Sequence, residues 1–192
     1  MGQYIPNREE TLELLKKYNE SESLIKHALA VEGVMKYFAL HYGEDVDKWG
    51  VIGLIHDLDY EQYPEKHCKM TEKILIENNW PADYIHSVIS HGWGICTDAE
   101  PKLTMEKVLF TIDELTGLIA ATALMRPSKS VLDMELKSIK KKWKTRSFAA
   151  GVDRELVEKG AEMLGMDLDQ VMTMTLEGMK TVAEDIGLKG NV

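Results

Sequence analysis

Cysteine is scarce: two residues in 192, Cys68 and Cys96, with no CxxC spacing. That excludes a disulfide framework and predicts a reducing compartment, the cytoplasm. No apolar run approaches the ~20 residues of a membrane span. The opening MGQYIPNREE has no signal-peptide core, and its Met1-Gly2 start has Pro6 where a myristoylation signal needs Ser or Thr. A membrane partner is therefore not expected. Positive charge is also in short supply. Lys and Arg total 23 against 32 Asp and Glu, a formal net charge of −9, which argues against bulk nucleic-acid binding. A small anionic substrate then needs a local cation. Strand-like alternation, hairpin dipeptides, internal repeats and low-complexity stretches are all missing.

Helical periodicity is present nearly everywhere, and the predicted fold class is all-α. The first helix is expected from about Arg8 to Tyr18, with Asn7 as N-cap and Glu10 as its capping-box partner. A second runs from about Glu22 to Tyr42 and closes on Gly43, with Leu24, Val31, Val34, Met35 and Phe38 as its apolar stripe. A third covers about Val46 to Leu58. Pro64 opens a fourth that reaches Glu77, and Pro81 a fifth that ends near Gly92. The sixth spans about Met105 to Leu124 and stops before Pro127. Ser130 is read as the cap of a basic helix, and Asp153 and Asp167 as caps of two more. The best boundary candidate is Ser147 to Gly151. It leaves residues 1–146 as the core and 147–192 as a helical extension packed on it.

The six histidines carry the chemical information. On helical wheels His27 falls inside the stripe of its helix, and His56 with Asp57 ends the apolar run VIGLIHDL. His67 shares a face with Met70 and Ile74, and His91 lies at the edge of an apolar face. Asp113 sits inside VLFTIDELTGLI. His86 points off its apolar face and His41 lies at a helix end. Taken singly, an inward His is more often a hydrogen-bonded core residue than a ligand, and Asp113 could simply bond Thr116. Together, two carboxylates and four imidazoles point inward with no Lys or Arg on their stripes. A buried carboxylate needs a counter-charge. A divalent metal supplies one, and His with Asp suits Mn, Fe, Co, Ni or Zn.

The order His27, then His56-Asp57 in GLIHDLDYE, then Asp113 in FTIDELTGLI resembles the HD-domain superfamily of metal-dependent phosphohydrolases, over about Ser21 to Leu124. The chain is most similar to small HDIG-type hydrolases. Leu58, Asp59 and Tyr60 replace the usual residues after HD, and no GYP motif is present, which sets the cyclic-dinucleotide branch aside. The resemblance implies an HD-type helical bundle with one or two metal ions. His27, His56, Asp57 and Asp113 would hold one ion. His67 and His91, with Asp57 bridging, would hold a second, and His86 competes for that second group.

The implied activity is hydrolysis of a small phosphate ester or nucleotide by metal-activated water. Asp57 is central to it, and Glu61 resembles an acid/base carboxylate of alarmone-hydrolysing relatives. Asp59 is grouped with Glu61, and the plain alternative for both is a solvated loop charge. Arg126 and Lys140 are the candidates for the local cation, drawn from a basic stretch that otherwise reads as a solvated helix face. Trp143 within it stacks on a base or packs in the core. Two other functions remain open: a di-iron oxygenase, which some relatives with this ligand order are, and a regulatory module without turnover. Eleven methionines leave room for a homo-oligomer face.

Overall fold

The computed structural model describes residues 4–192. Met1 to Gln3, and with them the Met1-Gly2 start weighed as an acylation signal, lie outside the described residues. Those described are all-helical: α1 Arg8–Tyr18, α2 Glu22–Tyr42, α3 Val46–Ile55, α4 Lys69–Glu77, α5 Ala82–Ile89, α6 Thr104–Leu124, α7 Leu136–Trp143, α8 Arg154–Leu164 and α9 Leu168–Thr181. None of these helices is long and apolar enough to cross a membrane.

Local signals explain most of the boundaries. Asn7 Oδ1 accepts from Glu10 N at the head of α1, and Asp45 and Asp153 cap α3 and α8 in the same way. Asp167 and Gln170 form a capping box at α9. Gly43 closes α2 at φ +69°. Three expectations are corrected. The Glu10 carboxylate takes the Tyr4 hydroxyl at 2.8 Å and does not complete a capping box with Asn7. The fourth segment is broken: Pro64–Lys66 is a short 3-10 turn, and α4 begins only after Cys68 takes φ +66°. That break swings the His67 ring toward Asp59. Ser130 caps no helix. Its Oγ accepts from Leu132 N, while Val131 and Met134 turn into the core before α7 starts.

The two 21-residue helices, α2 and α6, organise the rest. At 1.5 Å per residue each is ~30 Å long. α3 and α9 pack along α2, and α8 packs along α6. Val31, Val34, Met35 and Phe38 of α2 meet Ile52, Leu54 and Ile55 of α3 and Leu109, Ile112 and Leu115 of α6 in one buried cluster. Val157, Val171, Leu176 and Met179 of the C-terminal helices belong to that same cluster.

The α2–α9 crossing depends on a close approach at Gly178. A Cβ there would sit 2.7 Å from the Val34 Cα, a backbone atom that cannot give way alone. Gly178→Ala is expected to cost roughly 2 kcal/mol net of Ala's better helix propensity. That lowers the melting temperature by ~4–8 °C for a chain of this size. Calorimetry reads the shift, and a variant that melts with the wild type would show that α9 can back away freely.

Candidate metal centre

Five parts of the chain deliver the site. His27 stands on α2 and Asp113 on α6. His56 and Asp57 lie at the end of α3, where the chain leaves the helix. His91 lies in the 3-10 turn Ser90–Gly92 that follows α5, and His67 in the break before α4. These six residues form two groups that share Asp57. One is His27, His56, Asp57 and Asp113; the other is Asp57, His67 and His91. Within each group the ligand atoms all lie within 4.8 Å of one another.

The hydrogen bonds around the rings fix which nitrogens face inward. His56 Nδ1 donates to Gly53 O at 2.8 Å and His91 Nδ1 donates to Val88 O at 2.7 Å. His67 Nδ1 is held by Asp59 Oδ1 at 2.7 Å. Each Nε2 is therefore turned into the centre, and only acceptors or other ring nitrogens stand opposite. His56 Nε2 is buried without a hydrogen-bond partner, 3.4 Å from Asp57 Oδ2 and 3.3 Å from Asp113 Oδ1. His27 Nε2 lies 2.9 Å from Asp113 Oδ1. His67 Nε2 and His91 Nε2 face each other at 3.1 Å, each 3.5 Å from Asp57 Oδ1. Atoms of this kind tolerate such contact only with a proton or a cation between them. Two nitrogens bound at ~2.0–2.1 Å to one tetrahedral ion would be ~3.3 Å apart, so the spacings fit metal ligation.

Electrostatics agree. Burial opposes charge on His56, but Asp57 and Asp113 outweigh it and hold its pKa well above the ordinary value. Burial likewise opposes ionisation of Asp57 and Asp113, and the imidazoles hold both carboxyls well below the usual carboxylate range. Two other buried carboxylates are satisfied differently. Glu32 pairs with Arg8 and Lys36. Glu106 accepts from the Lys102 and Leu103 backbone, Ser87 and His86. Among the described residues no Lys or Arg pairs with Asp57 or Asp113, which is the role a divalent ion would fill.

A cavity of about 340 Å³ opens onto the ligands. Ile95, Phe110, Val152 and Leu156 form its apolar wall, with Tyr60 and Glu114 among its polar groups. Burial and the adjacent Asp113 push the Glu114 carboxyl up to about 7.

The remaining site candidates are placed elsewhere. Asp59 is fully buried, accepting from Thr71 N and bonding His67 Nδ1, so it orients the His67 ring and caps α4 without reaching the cavity. Glu61 accepts from the backbone of Glu20 and Ser21 at 2.7 and 3.0 Å, at the start of α2. Its charge is spent on that helix terminus and it does not line the cavity. Arg126 is bound to Asp133 and Ser138, and Lys140 to Asp169. Arg126 follows Asp113 by 13 residues just past the end of α6, ~20 Å along the axis, and neither cation lines the cavity. Trp143 stacks under the Arg154 guanidinium. His86 is engaged by Glu106, and the Thr116 hydroxyl bonds Ile112 O, not Asp113. Sequence reading missed the orienting role of Asp59, for which the only local signal is the carboxylate two residues beyond the His56-Asp57 pair.

No protein-family model matches the chain, and no solved structure matches it. The class defined here is an all-α protein with a buried His/Asp cluster suited to a metal ion.

Proposed function

We propose that the chain is a metal-dependent phosphohydrolase of the HD type that acts on a small phosphate ester or nucleotide. The observation that carries this reading is the position of Asp57, whose Oδ2 faces His56 while its Oδ1 faces His67 and His91. His27, His56, Asp57 and Asp113 would hold one divalent ion, and Asp57, His67 and His91 a second. Such a pair, when bound, supplies Lewis acidity and lowers the pKa of a coordinated water toward ~7. The chain's own residues do the rest. Gly53 O, Val88 O and Asp59 fix three rings so that each Nε2 is turned inward before anything binds. Phe110, Val152 and Leu156 limit water on one side, and Tyr60 stands against the His67 ring near solvent.

A panel of phosphate monoesters and nucleotides assayed with Mn2+ or Co2+ tests the proposal. Turnover is expected, with a loss of roughly 100-fold or more in His56→Ala, since even outer-shell changes cost 10–100-fold. Loaded protein that turns over nothing in the panel overturns it. Among the described residues no Lys or Arg lines the cavity, and this favours one second reading, a di-iron oxygenase acting on a less charged substrate. An air-sensitive mixed-valence iron signal without phosphatase activity would identify it. Specific ligand stabilisation with neither activity would leave the regulatory module.

A further inference from the structure

We propose that Cys68 and Cys96 are a redox-active dithiol, oxidised reversibly by a peroxide to an intramolecular disulfide in the wall of the metal cavity. The Cys96 thiol meets the Cys68 sulfur at 3.0 Å, and closing to a bond of ~2.05 Å needs a movement of only ~1 Å. The pair is held by construction. Cys96 N and Thr97 N both donate to Gly92 O, and Gly94 N donates to Thr97 O, which makes a tight loop that hangs Cys96 over Cys68. A Cβ at Gly92 would strike both sulfurs. Cys68 itself takes φ +66°, ψ −41°, a strained backbone for a non-glycine residue, at the head of α4.

The two thiols differ in access. Cys68 is buried, whereas Cys96 is partly exposed. Both line a cavity of about 760 Å³, but only Cys96 also lines the 340 Å³ cavity beside the His/Asp cluster, so the more exposed Cys96 meets a small oxidant first. The Cys96 sulfur attacks one peroxide oxygen and the O–O bond breaks, leaving a sulfenic acid and one water. The Cys68 sulfur then displaces the sulfenic hydroxyl as a second water while the S–S bond forms. Two thiols lose two electrons and two protons, and one hydrogen peroxide becomes two waters. A soft metal held by His67, Cys68 and Cys96 is the competing use of these atoms. It finds His67 already committed, Nδ1 to Asp59 and Nε2 toward His91.

The test uses the full-length, reduced, desalted protein exposed to a small excess of hydrogen peroxide. Thiols are counted under denaturing conditions, and the linkage is mapped by peptide mass. The expected product is a Cys68–Cys96 disulfide within one chain, two hydrogens lighter and fully reversed by dithiothreitol. Cys96→Ser is expected to leave Cys68 as an unreacted thiol. Cys68→Ser is expected to stop at a Cys96 sulfenic acid that dimedone traps. Survival of both thiols, progression of Cys96 to a sulfinic acid with Cys68 free, or linkage between chains would each overturn the proposal. The readout is sulfur alone, so its failure is distinguishable from failure of the phosphohydrolase reading.

Discussion

Co2+ or Mn2+ added to metal-stripped protein is expected to raise its melting temperature by roughly 8–16 °C. A ligand at 1,000 times its dissociation constant adds ~4 kcal/mol to the folded state. Each kcal/mol moves the midpoint of a chain of this size by ~2–4 °C. Asp57→Asn is expected to abolish that shift, because Asp57 alone belongs to both ligand groups. Asn keeps one acceptor oxygen and loses the negative charge, so it would offer an ion in either group no shared anion. His91→Ala changes one group only and should keep the ion that His27, His56, Asp57 and Asp113 would hold. Elemental analysis of the three proteins then gives a graded series: full metal content in the wild type, about half in His91→Ala, and near none in Asp57→Asn. Wild-type protein that shows neither bound transition metal nor a thermal shift under any loading condition would mean that the cluster is a network of imidazolium–carboxylate pairs.

That experiment bears on residues whose inward direction was legible in the sequence to differing degrees. His27 and Asp113 lie on regular helices, where a 3.6-residue period decides which side chains face the core. His56 follows the last residue of an almost wholly buried helix and has nowhere else to point. His67 also reaches the centre, but not for the reason periodicity offers. It sits outside any helix and is held by Asp59, eight residues earlier. The unread features share one trait: each depends on a polar side chain finding a hydrogen-bonding partner in a loop or at a helix end, which no hydrophobic period specifies. Glu61 finds Glu20 and Ser21 about forty residues back, and Arg126 and Lys140 find Asp133 and Asp169 instead of a substrate. Hydrophobic pattern encodes which face is buried. It does not encode which polar group a loop will meet.

Arg154 is the clearest case of such a contact, and Arg154→Ala carries the second large expected effect, a loss of about 3 kcal/mol. The stretch Ser147 to Gly151 reads in sequence as a boundary. In the fold it is wrapped around one buried guanidinium. Arg154 donates to the carbonyls of Trp143, Thr145, Phe148, Ala149 and Val152, the best of these at 2.7 Å to Phe148 O, and lies over the Trp143 ring. Among the described residues no carboxylate pairs with it, so the carbonyl dipoles of Trp143 and of the turn that follows α7 carry its counter-charge. Hydrogen bonds to a charged group are each worth ~1.5–3 kcal/mol. Water can replace part of that at the exposed residues of the turn, which brings the net figure to about 3 kcal/mol. The melting temperature should fall by ~6–12 °C. Arg154→Lys should recover less than half of it, because an ammonium has three donors on a point charge where guanidinium offers five in a planar fork. The consequence reaches the site, since Val152, the last carbonyl in the set, lines the cavity beside the His/Asp cluster. Limited proteolysis checks the structural claim: trypsin should cut Arg154→Ala at Lys144 or Arg146 under conditions that leave the wild type intact. A variant within 0.5 kcal/mol of wild type and equally resistant would mean that solvent replaces the guanidinium and that the turn holds itself.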